Sequence, residues 1–466
     1  MNDSKETVVI DEDLIFQLLS ESENPKPATV HAILSKARRL EGLTHPEVAV
    51  LLQVDDLQLK DEIFHAARDV KESIYGRRLV IFAPLYISNY CCNDCTYCAF
   101  RTGNRDIVRR SLSQEEIANE TQILVKQGHK RILLVTGEAY PGEGISYVLD
   151  SIKTVYNTKV DHGEIRRLNV NIAPLEYEEF CQLKAANIGT YQLFQETYHR
   201  ETYAKVHPKG KKADFDFRIT GVDQAMKAEI DDVGIGVLFG LYDWKFEVLA
   251  MLQHINHLEG KFGIGPHTIS VPRLEPALGS GISNKPPHVV SDSDFSKLVA
   301  ILRLAVPYTG IIMSTRETPK VRRETFALGV SQISAGSRTN PGGYSDSPFE
   351  GVSSQFQLGD HRTLDEVIRD VASLGYIPSF CTACYRLGRT GMDFMDLAKP
   401  GEIKKHCDPN ALTTFLEYLT DYGTEKTIEV GEKLITSYIL GMDKNLAAFT
   451  QLQLQKIRDG NRDIYC

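Results

Sequence analysis

From residue 91 the chain reads Cys91-Cys92-Asn93-Asp94-Cys95-Thr96-Tyr97-Cys98-Ala99-Phe100, directly after the apolar run Leu79–Ile87. Three residues separate Cys91 from Cys95, and two separate Cys95 from Cys98. Three soft thiolates on one loop can hold three corners of a cubic iron–sulfur cluster. The loop supplies no ligand for the fourth iron, which is then open to bind a substrate or a cofactor. The stretch therefore predicts a reactive cluster on a loop that follows a strand.

Other uses of these cysteines are less consistent with the sequence. A structural zinc site needs a fourth Cys or His at short range, and none lies between Phe100 and Lys126. A disulfide framework suits a small secreted domain, not a chain of 466 residues with nine Cys. Cys92 also creates a ferredoxin-like Cys-x2-Cys-x2-Cys frame with Cys95 and Cys98, so the spacing alone leaves the first ligand open. We predict that the first ligand is Cys91.

The composition limits which partners and which cellular compartment are expected. The chain has 53 Lys+Arg and 62 Asp+Glu, a net charge of −9, which argues against nucleic acid as a partner. We see neither a run of about 18 apolar residues nor a charged-then-apolar leader, so we expect no membrane span and no signal peptide. The thiols are then expected in a reducing cytoplasm, where clustered cysteines serve metals.

The pattern of apolar residues changes twice along the chain. Residues 1–77 have helix-like apolar spacing with polar connections. From residue 78 to 338, short β-branched runs alternate with helix-length amphipathic segments. Residues 339–466 begin with the Gly/Pro/Ser-rich run Thr339–Pro348 and continue as helices. We therefore predict an N-terminal helical extension (1–77), an α/β barrel (78–338) and a mostly helical carboxyl-terminal cluster-binding domain (339–466).

Eight runs are strand candidates, and helical patterns fall between most of them. The strand candidates are Leu79–Leu85, Arg131–Thr136, Arg167–Ile172, Thr190–Gln195, Asp232–Leu238, Thr268–Val271, Gly310–Met313 and Ser331–Ala335. The helix candidates are Lys36–Leu43, Pro46–Val54, Asp61–Ile74, Ser113–Gln127, Tyr147–Tyr156, Asp214–Ala228, Asp292–Val306, Thr363–Leu374, Asn410–Tyr422 and Glu425–Gly441. This alternation predicts a parallel (β/α)8 barrel of the TIM type, whose chemistry lies at the carboxyl ends of the strands.

The first cysteine frame, with Tyr97 just before its last cysteine, resembles the signature of radical S-adenosylmethionine (SAM) enzymes. The resemblance implies a 4Fe-4S cluster on Cys91, Cys95 and Cys98, whose open iron is chelated by the amino acid moiety of SAM. Members of that superfamily carry a Gly-Gly-Glu run after the second strand, and here Thr136 replaces the first Gly of Thr136-Gly137-Glu138.

Side chains at the strand ends suit a cofactor with an amino acid head, a ribose and an adenine. Glu138 can accept from an ammonium group, and Arg218 can pair bidentately with a carboxylate. Asn169, Asn171 and Glu196 are candidate ribose contacts, and the backbone around Val237 offers an edge for adenine. The predicted SAM contacts are Tyr97, Thr136, Gly137, Glu138, Asn169, Asn171, Glu196, Arg218 and Val237.

A second cysteine frame follows in the carboxyl-terminal part. Cys381 and Cys384 are separated by two residues, and Cys407 follows after 22 more. A zinc site closed by His406 and a redox dithiol are the alternatives, and both stay open on the residues alone. We favour a second iron–sulfur cluster.

The two frames in this order resemble the HydG family, the tyrosine lyases of FeFe-hydrogenase maturation. The resemblance implies that a 5′-deoxyadenosyl radical abstracts hydrogen from the amino group of L-tyrosine, giving p-cresol and dehydroglycine, then CO and cyanide. It also implies that a second 4Fe-4S cluster, on Cys381, Cys384 and Cys407, carries an additional iron that collects these products. His267 matches the protein ligand of that iron, and free cysteine is implied as a further ligand.

Tyrosine must be held by its carboxylate so that its amine faces the radical. The candidates are Ser314, Arg316 and Ser337, with Arg323 as the next choice, although Arg316 could instead pair with the adjacent Glu317. The implied partners are SAM, L-tyrosine, a low-potential electron donor such as ferredoxin or flavodoxin, and other hydrogenase maturation proteins.

Three other functions remain open at this point. One is a thiamine-pathway-type tyrosine lyase (2-iminoacetate synthase), which shares the barrel and the first frame but lacks the second. Another is a radical SAM enzyme that acts on a different substrate. The third is a non-enzymatic iron–sulfur scaffold or electron carrier, which the three-cysteine loop disfavours because it leaves one iron open.

Overall fold

Eight parallel strands form a closed barrel at the centre of the computed structural model. The structure describes residues 10–142, 144–345, 350–387, 391, 393 and 403–465. In chain order the strands are β1 (Arg78–Ser88), β2 (Arg131–Thr136), β3 (Arg167–Asn171), β4 (Tyr191–Glu196), β5 (Val233–Val237), β6 (Thr268–Ser270), β7 (Gly310–Met313) and β8 (Val330–Ser334). Each pairs in parallel with the next, and β8 pairs with β1, which closes the sheet. The predicted barrel is confirmed, and every strand end lies within three residues of its predicted place.

The strands read as apolar runs because the barrel buries both of their faces. All five residues of β5 and all four of β7 are buried. The helices outside the barrel begin at polar caps, as at Ser113, whose hydroxyl accepts from the amide of Glu116 while the Glu116 carboxylate accepts from the amide of Ser113. Because all eight strands are parallel, the loops that follow them lie at one end of the barrel.

Most helices surround the barrel or extend from its two chain ends. Those of eight or more residues are Glu12–Glu21, Pro27–Arg38, His45–Leu52, Leu57–Tyr75, Gln114–Lys126, Ser146–Asn157, Tyr177–Ala185, Trp244–Phe262, Asp292–Ala305, Pro319–Phe326, Leu364–Ser373, Ile403–Tyr422, Glu425–Gly441 and Lys444–Arg458. Shorter helical segments are Arg200–Val206, Lys211–Ala213, Phe215–Ile219, Gly221–Lys227, Gly281–Asn284, Glu350–Ser353 and Ala383–Arg386, and a small hairpin pairs Lys159–Val160 with Gly163–Glu164. Within the described residues no helix combines the length and the apolar character needed to cross a membrane.

Two helix predictions are wrong in part. The segment Lys36–Leu43 is not a helix, because the helix that contains Lys36 ends at Arg38 and the chain turns through Leu40 and Gly42 at positive φ. The predicted helix Asp214–Ala228 is two helices that meet at Thr220. A Cβ added to Gly221 would lie 2.8 Å from the Leu193 side chain, so the second helix begins in close contact with the barrel.

A ninth strand, β9 (Ile377–Ser379), joins the amino end of β1, and the sequence analysis did not predict it. Val80 pairs with Gln332 of β8 and with Ser379 of β9, so these two strands flank opposite edges of β1. Cys381 follows β9 directly, which anchors the second cysteine frame to the amino end of the barrel. The proposed division at residues 77 and 338 stays a prediction.

A buried ion pair holds the segment after β8 against the barrel. Arg322 Nη1 donates to Asp360 Oδ2 at 2.7 Å, and neither side chain has any exposed area. Arg322 Nη2 also donates to the carbonyl of Ser334, the last residue of β8. On the other side, the Asp360 amide donates to the carbonyl of Thr315 at 3.0 Å. This pair therefore fixes the loops that follow β7 and β8.

We expect Asp360→Ala to lower the free energy of unfolding by about 3–5 kcal/mol, because Arg322 would remain buried without its carboxylate. The matched control is Asp69→Ala, which removes an ion pair with Arg38 whose side chains are 41% and 58% exposed. That change should cost only about 0–1 kcal/mol. Urea unfolding followed by circular dichroism measures both, and equal losses would contradict the structural role of the buried pair.

Candidate functional site

The carboxyl ends of the barrel strands surround a cavity of about 210 Å³, here called the upper cavity. Most of the residues predicted for the first site line it. They are Cys91, Cys95, Tyr97, Cys98, Thr136, Gly137, Glu138, Asn171, Glu196, Arg218, Ser314 and Arg316. Loops after separate strands thus converge on one space, as expected for a barrel of this type.

The cysteine loop presents three thiols to this cavity and turns the fourth away. Cys91, Cys95 and Cys98 line the cavity, whereas Cys92 is exposed and does not. Cys98 Sγ accepts from Gln355 Nε2 at 3.6 Å, a contact that suits a thiolate ligand. Burial raises the pKa of the Cys95 thiol to about 12, so this thiol binds a metal only with release of its proton. The donor set fits a cluster held by Cys91, Cys95 and Cys98.

The loop after β2 packs tightly against the cysteine loop. Asn93 Nδ2 donates to Glu138 Oε2 at 2.5 Å, and the Cys92 amide donates to the Glu138 carbonyl at 3.2 Å. A Cβ added to Gly137 would lie 2.2 Å from the carbonyl oxygen of Tyr90. Only glycine fits at this close approach, which sets the Glu138 carboxylate beside the thiols.

Glu196, the last residue of β4, is held in an unusual backbone conformation. Its φ is +72°, a region that costs a non-glycine residue about 1–3 kcal/mol. Lys212 Nζ donates to Glu196 Oε1 at 2.7 Å, and the Lys212 amide donates to Asn93 Oδ1 at 2.9 Å. The amide of Tyr198 donates to the buried carboxylate of Glu247 at 2.9 Å, which fixes the chain that follows. These contacts aim the Glu196 carboxylate at the cavity.

Two arginines reach the upper cavity from different strand ends. Arg218 Nε donates to the Phe194 carbonyl at 3.0 Å, and Arg316 Cζ lies 3.3 Å from the centre of the Phe356 ring. In the part of the chain that the structure describes, neither guanidinium is in an ion pair. Each guanidinium can therefore bind the carboxylate of a ligand by donating hydrogen bonds to it.

The alternative partner considered for Arg316, Glu317, is engaged elsewhere. Arg273 Nε donates to Glu317 Oε1 at 3.0 Å, and Glu317 is almost fully buried. The alternative in which Arg316 pairs with Glu317 is therefore excluded, and Arg316 as the tyrosine anchor stays a prediction. Glu275 also lies near Arg316, and burial raises the pKa of the Glu275 carboxyl to about 7.

Four predicted residues do not line the upper cavity. Asn169 lies two residues before Asn171 on β3, toward the amino end of the strand, and its side-chain oxygen accepts from the Thr190 amide at 2.9 Å. Val237 is buried beside the lining residue Leu238. Ser337 is buried, and its hydroxyl has no hydrogen-bond partner among the described residues. Arg323 forms an ion pair of 2.7 Å with Asp370, with its own side chain 48% exposed.

A second cavity, here called the lower cavity, lies at the amino ends of the strands. The second cysteine frame and His267 line it together with residues from six barrel strands and their approaches. The lining side chains that carry polar or sulfur groups are Tyr75, Arg78, Arg131, Asp232, His267, Ser331, Gln332, Cys381, Thr382, Cys384, Tyr385 and Cys407. His406 is exposed and does not line it, which removes the fourth ligand of the considered zinc site.

Positive charge surrounds the thiols of the lower cavity. Burial raises the pKa of the Cys381 thiol to about 11, while the neighbouring Arg78 and Arg131 favour its thiolate. Arg131 Nη2 also donates to the Cys381 carbonyl at 3.3 Å. His267 Nδ1 lies 3.7 Å from Asp232 Oδ1, a carboxylate that can orient the ring. These residues suit a thiolate-bound metal centre with a histidine at its edge.

Several residues of both cavities escaped the sequence analysis. Asn93 lies inside the cysteine run, so its position in the sequence could have identified it as a site residue. Lys212 lies in the short helical turn Lys211–Ala213, and Gln355 and Phe356 lie in a loop, so no periodic pattern marks these three residues. Arg78 and Asp232 sit at strand starts, where the sequence alone does not distinguish a site residue from a core residue.

Comparisons with known proteins match both halves of the barrel. The model of the radical SAM superfamily matches residues 85–253, and that of the biotin and thiamin synthesis associated domain matches residues 270–377. The second match ends before Cys381. The 2-iminoacetate synthase of Escherichia coli is 31% identical over 348 residues, which cover 74% of this chain and 89% of that protein.

Two solved structures match almost the whole chain. The crystal structure of HydG, a maturase of the FeFe-hydrogenase, is 51% identical with a TM-score of 0.95, and the match covers 98% of this chain and 99% of that one. HydG from Carboxydothermus hydrogenoformans is 41% identical with a TM-score of 0.84, and the match covers 95% of this chain and 97% of that one.

The geometry of the cysteine loop predicts different outcomes for two adjacent cysteines. We expect Cys91→Ser to lower the iron and sulfide content and to abolish SAM cleavage, because a loop with two thiolates cannot hold the cube. We expect Cys92→Ser, the matched control, to keep both, since its thiol faces solvent. Iron and sulfide analysis and chromatography of 5′-deoxyadenosine measure the two. The reverse pattern would show that Cys92 is the ligand.

Proposed function

This chain belongs to the HydG family of radical SAM enzymes, and we propose that it cleaves L-tyrosine to p-cresol and dehydroglycine. We further propose that dehydroglycine yields CO and cyanide, which an auxiliary iron centre collects as a precursor of the FeFe-hydrogenase active site. A low-potential electron donor and other hydrogenase maturation proteins are the proposed partners.

One observation carries the proposal: two cysteine sets line cavities at opposite ends of a single barrel. The upper set supplies the three thiols that a radical SAM cluster needs. The lower set lies beyond residue 377, where the match to the biotin and thiamin synthesis associated domain ends. A lyase that only cleaves its substrate has no use for the second set, whereas a maturase that assembles an iron complex does.

The side chains of the upper cavity divide between cofactor and substrate. When bound, SAM and a 4Fe-4S cluster would supply a 5′-deoxyadenosyl radical. Arg218 would pair with the SAM carboxylate, and Glu138 would accept from its ammonium group. Asn171 and Glu196 would accept from the ribose hydroxyls.

A second cation of the upper cavity serves the amino acid substrate. Arg316 would anchor the tyrosine carboxylate, with the Ser314 hydroxyl beside it. Because this anchor lines the same cavity as the cysteine loop, it would hold the substrate amine toward the cofactor. Such positioning can account for roughly 7–11 kcal/mol of a barrier.

The lower cavity would hold the auxiliary centre. Cys381, Cys384 and Cys407 would bind a second 4Fe-4S cluster, and His267 would bind an additional iron that also takes a free cysteine. His406 does not line this cavity, so a zinc ion would lack the fourth ligand considered for it, which supports an iron–sulfur cluster over a zinc site. Arg78 and Arg131 would offset the charge of the thiolates.

The likeness to 2-iminoacetate synthase favours a second candidate, a lyase whose reaction ends at dehydroglycine. The two candidates share the upper cavity and differ in the lower one. A purely structural scaffold has less support, because two unpaired arginines in a cavity serve ligands rather than stability.

We expect the protein with SAM, dithionite and L-tyrosine to form p-cresol, and Arg316→Ala to uncouple the reaction. Without its anchor, tyrosine would bind at least about tenfold more weakly, the loss of one charge-assisted contact of about 1.5–3 kcal/mol. SAM cleavage by Arg316→Ala would continue at a rate comparable with that of the unmodified protein. Chromatography of p-cresol and 5′-deoxyadenosine measures both products.

Arg323→Ala is the matched control, since its guanidinium pairs with Asp370 outside the cavity. It should leave both products unchanged. Unaltered tyrosine affinity in Arg316→Ala would move the carboxylate anchor elsewhere, and absence of p-cresol from the unmodified protein would refute the tyrosine lyase assignment.

The division of labour between the cavities gives a further prediction. We expect Cys384→Ser to keep p-cresol formation within about twofold and to lose the infrared bands of iron-bound CO and cyanide, because the centre that captures them no longer forms. His267→Ala should weaken these bands only partly, because the cluster thiols remain. Normal bands in Cys384→Ser would contradict the two-centre assignment, whereas p-cresol without these bands in the unmodified protein would favour the 2-iminoacetate synthase type of activity.

A further inference from the structure

The cysteine loop of the upper cavity reaches the protein surface at Cys92. This residue is exposed, whereas Cys95 is buried. Two other segments pack on the loop: the Asp94 amide donates to the Lys209 carbonyl at 3.1 Å, and the Thr102 amide donates to the Asn93 carbonyl at 2.8 Å. The surface around Cys92 is therefore built from the loop and from the segments that contain Thr102 and Lys209.

Both segments carry exposed positive charge, which we call the basic rim (Arg101, Arg105, Lys209 and Lys211). Lys209 and Lys211 are exposed on one side of the loop, and Arg105 is exposed on the other. These three are in no ion pair with any described residue. Arg101 neutralises Asp94 at 3.2 Å, and the exposed acidic residues Asp106 and Asp214 follow the two segments.

The basic rim is unusual in a chain with a net charge of −9. A protein of that charge repels acidic partners as a whole, so a local patch of the opposite sign selects where such a partner can approach. Apolar side chains lie within the rim, since Tyr90 is 44% exposed and Leu278 is 38% exposed. The Leu278 carbonyl accepts from Asn104 Nδ2 at 2.9 Å, which fixes it beside the rim.

We propose that the basic rim docks a small acidic one-electron carrier protein of the ferredoxin type. The inference rests on the proposed function, because it requires the cluster on Cys91, Cys95 and Cys98. One electron leaves the reduced carrier and enters that cluster, so the carrier is oxidised and the cluster reduced by the same electron. A carrier that binds over Cys92 would lie close to the cluster, because Cys92 is the neighbour of the ligand Cys91. Electron transfer becomes faster as the distance between the two redox centres shortens.

The size and the chemistry of the surface support this occupant. A small charged patch around an apolar centre is typical of weak redox complexes, which bury less than about 1,200 Å². Cys92 is the exposed cysteine of the first loop, so a carrier seated there would deliver its electron at the upper end of the barrel.

The test compares Lys209→Glu/Lys211→Glu with Lys426→Glu/Lys444→Glu, which makes the same charge change on exposed residues of the carboxyl-terminal helices. The probe is an oxidised, acidic ferredoxin with two 4Fe-4S clusters, and its dissociation constant is measured by biolayer interferometry. We expect the rim variant to raise that constant at least about tenfold at about 0.05 M salt and about twofold at about 0.5 M salt. The control should change it less than about twofold.

Activity separates this inference from the proposed function. With dithionite as reductant, the rim variant should form p-cresol at the normal rate, whereas with reduced ferredoxin its rate should fall about tenfold, in line with its weaker binding. Equal ferredoxin affinity in the rim variant and the unmodified protein would overturn the docking site, as would rim-dependent binding of a flavodoxin alone.

If the charge reversal disturbs folding, Lys209→Gln/Lys211→Gln replaces it, with about threefold weaker ferredoxin binding expected. Failure of the unmodified protein to form p-cresol with dithionite would refute the tyrosine lyase and leave the affinity result standing.

Discussion

The pairing of β1 with three other strands is the constraint on which the rest of the structure depends. This strand of 11 residues pairs with β2 along its carboxyl half, with β8 at its middle and with β9 at its amino end. Its carboxyl end leads into the first cysteine loop, and its pairing with β9 positions the second. A strand of this length spans roughly 33 Å, so one rigid element sets the separation of the two thiol sets.

Arginines that form no ion pair with a described residue lie at both ends of the barrel. Arg218 and Arg316 in the upper cavity, and Arg78 and Arg131 in the lower one, are buried or half-buried. Elsewhere, the fully buried Arg322 is neutralised by Asp360, whereas the fully buried Arg303 donates to the carbonyls of Pro307 and Gly329 and pairs with no described carboxylate. A buried charge without a counter-ion costs free energy, so anionic groups at the four cavity positions, thiolates or substrate carboxylates, would offset that cost.

The sequence predicted features that are encoded locally. The eight barrel strands are contiguous apolar runs, and the cysteine frames are set by spacing, so both were identified without the structure. The strand β9 was missed because it has only three residues and contains Pro378. The sequence left open whether Arg316 pairs with Glu317, because the partner that Glu317 has in the structure, Arg273, comes from another loop. Asn169 and Asn171 share a strand face, but only depth in the barrel decides which one reaches the cavity.

The positive φ of Glu196 implies a trade between stability and function at the end of β4. Glycine would adopt this conformation without strain, so replacing Glu196 by glycine would relieve the backbone while deleting the carboxylate that Lys212 holds toward the cavity. Selection for thermal robustness alone would drive this position toward glycine, and selection for cofactor binding would oppose it. Engineering for a higher melting temperature should therefore leave this residue untouched and seek its gains in the outer helices.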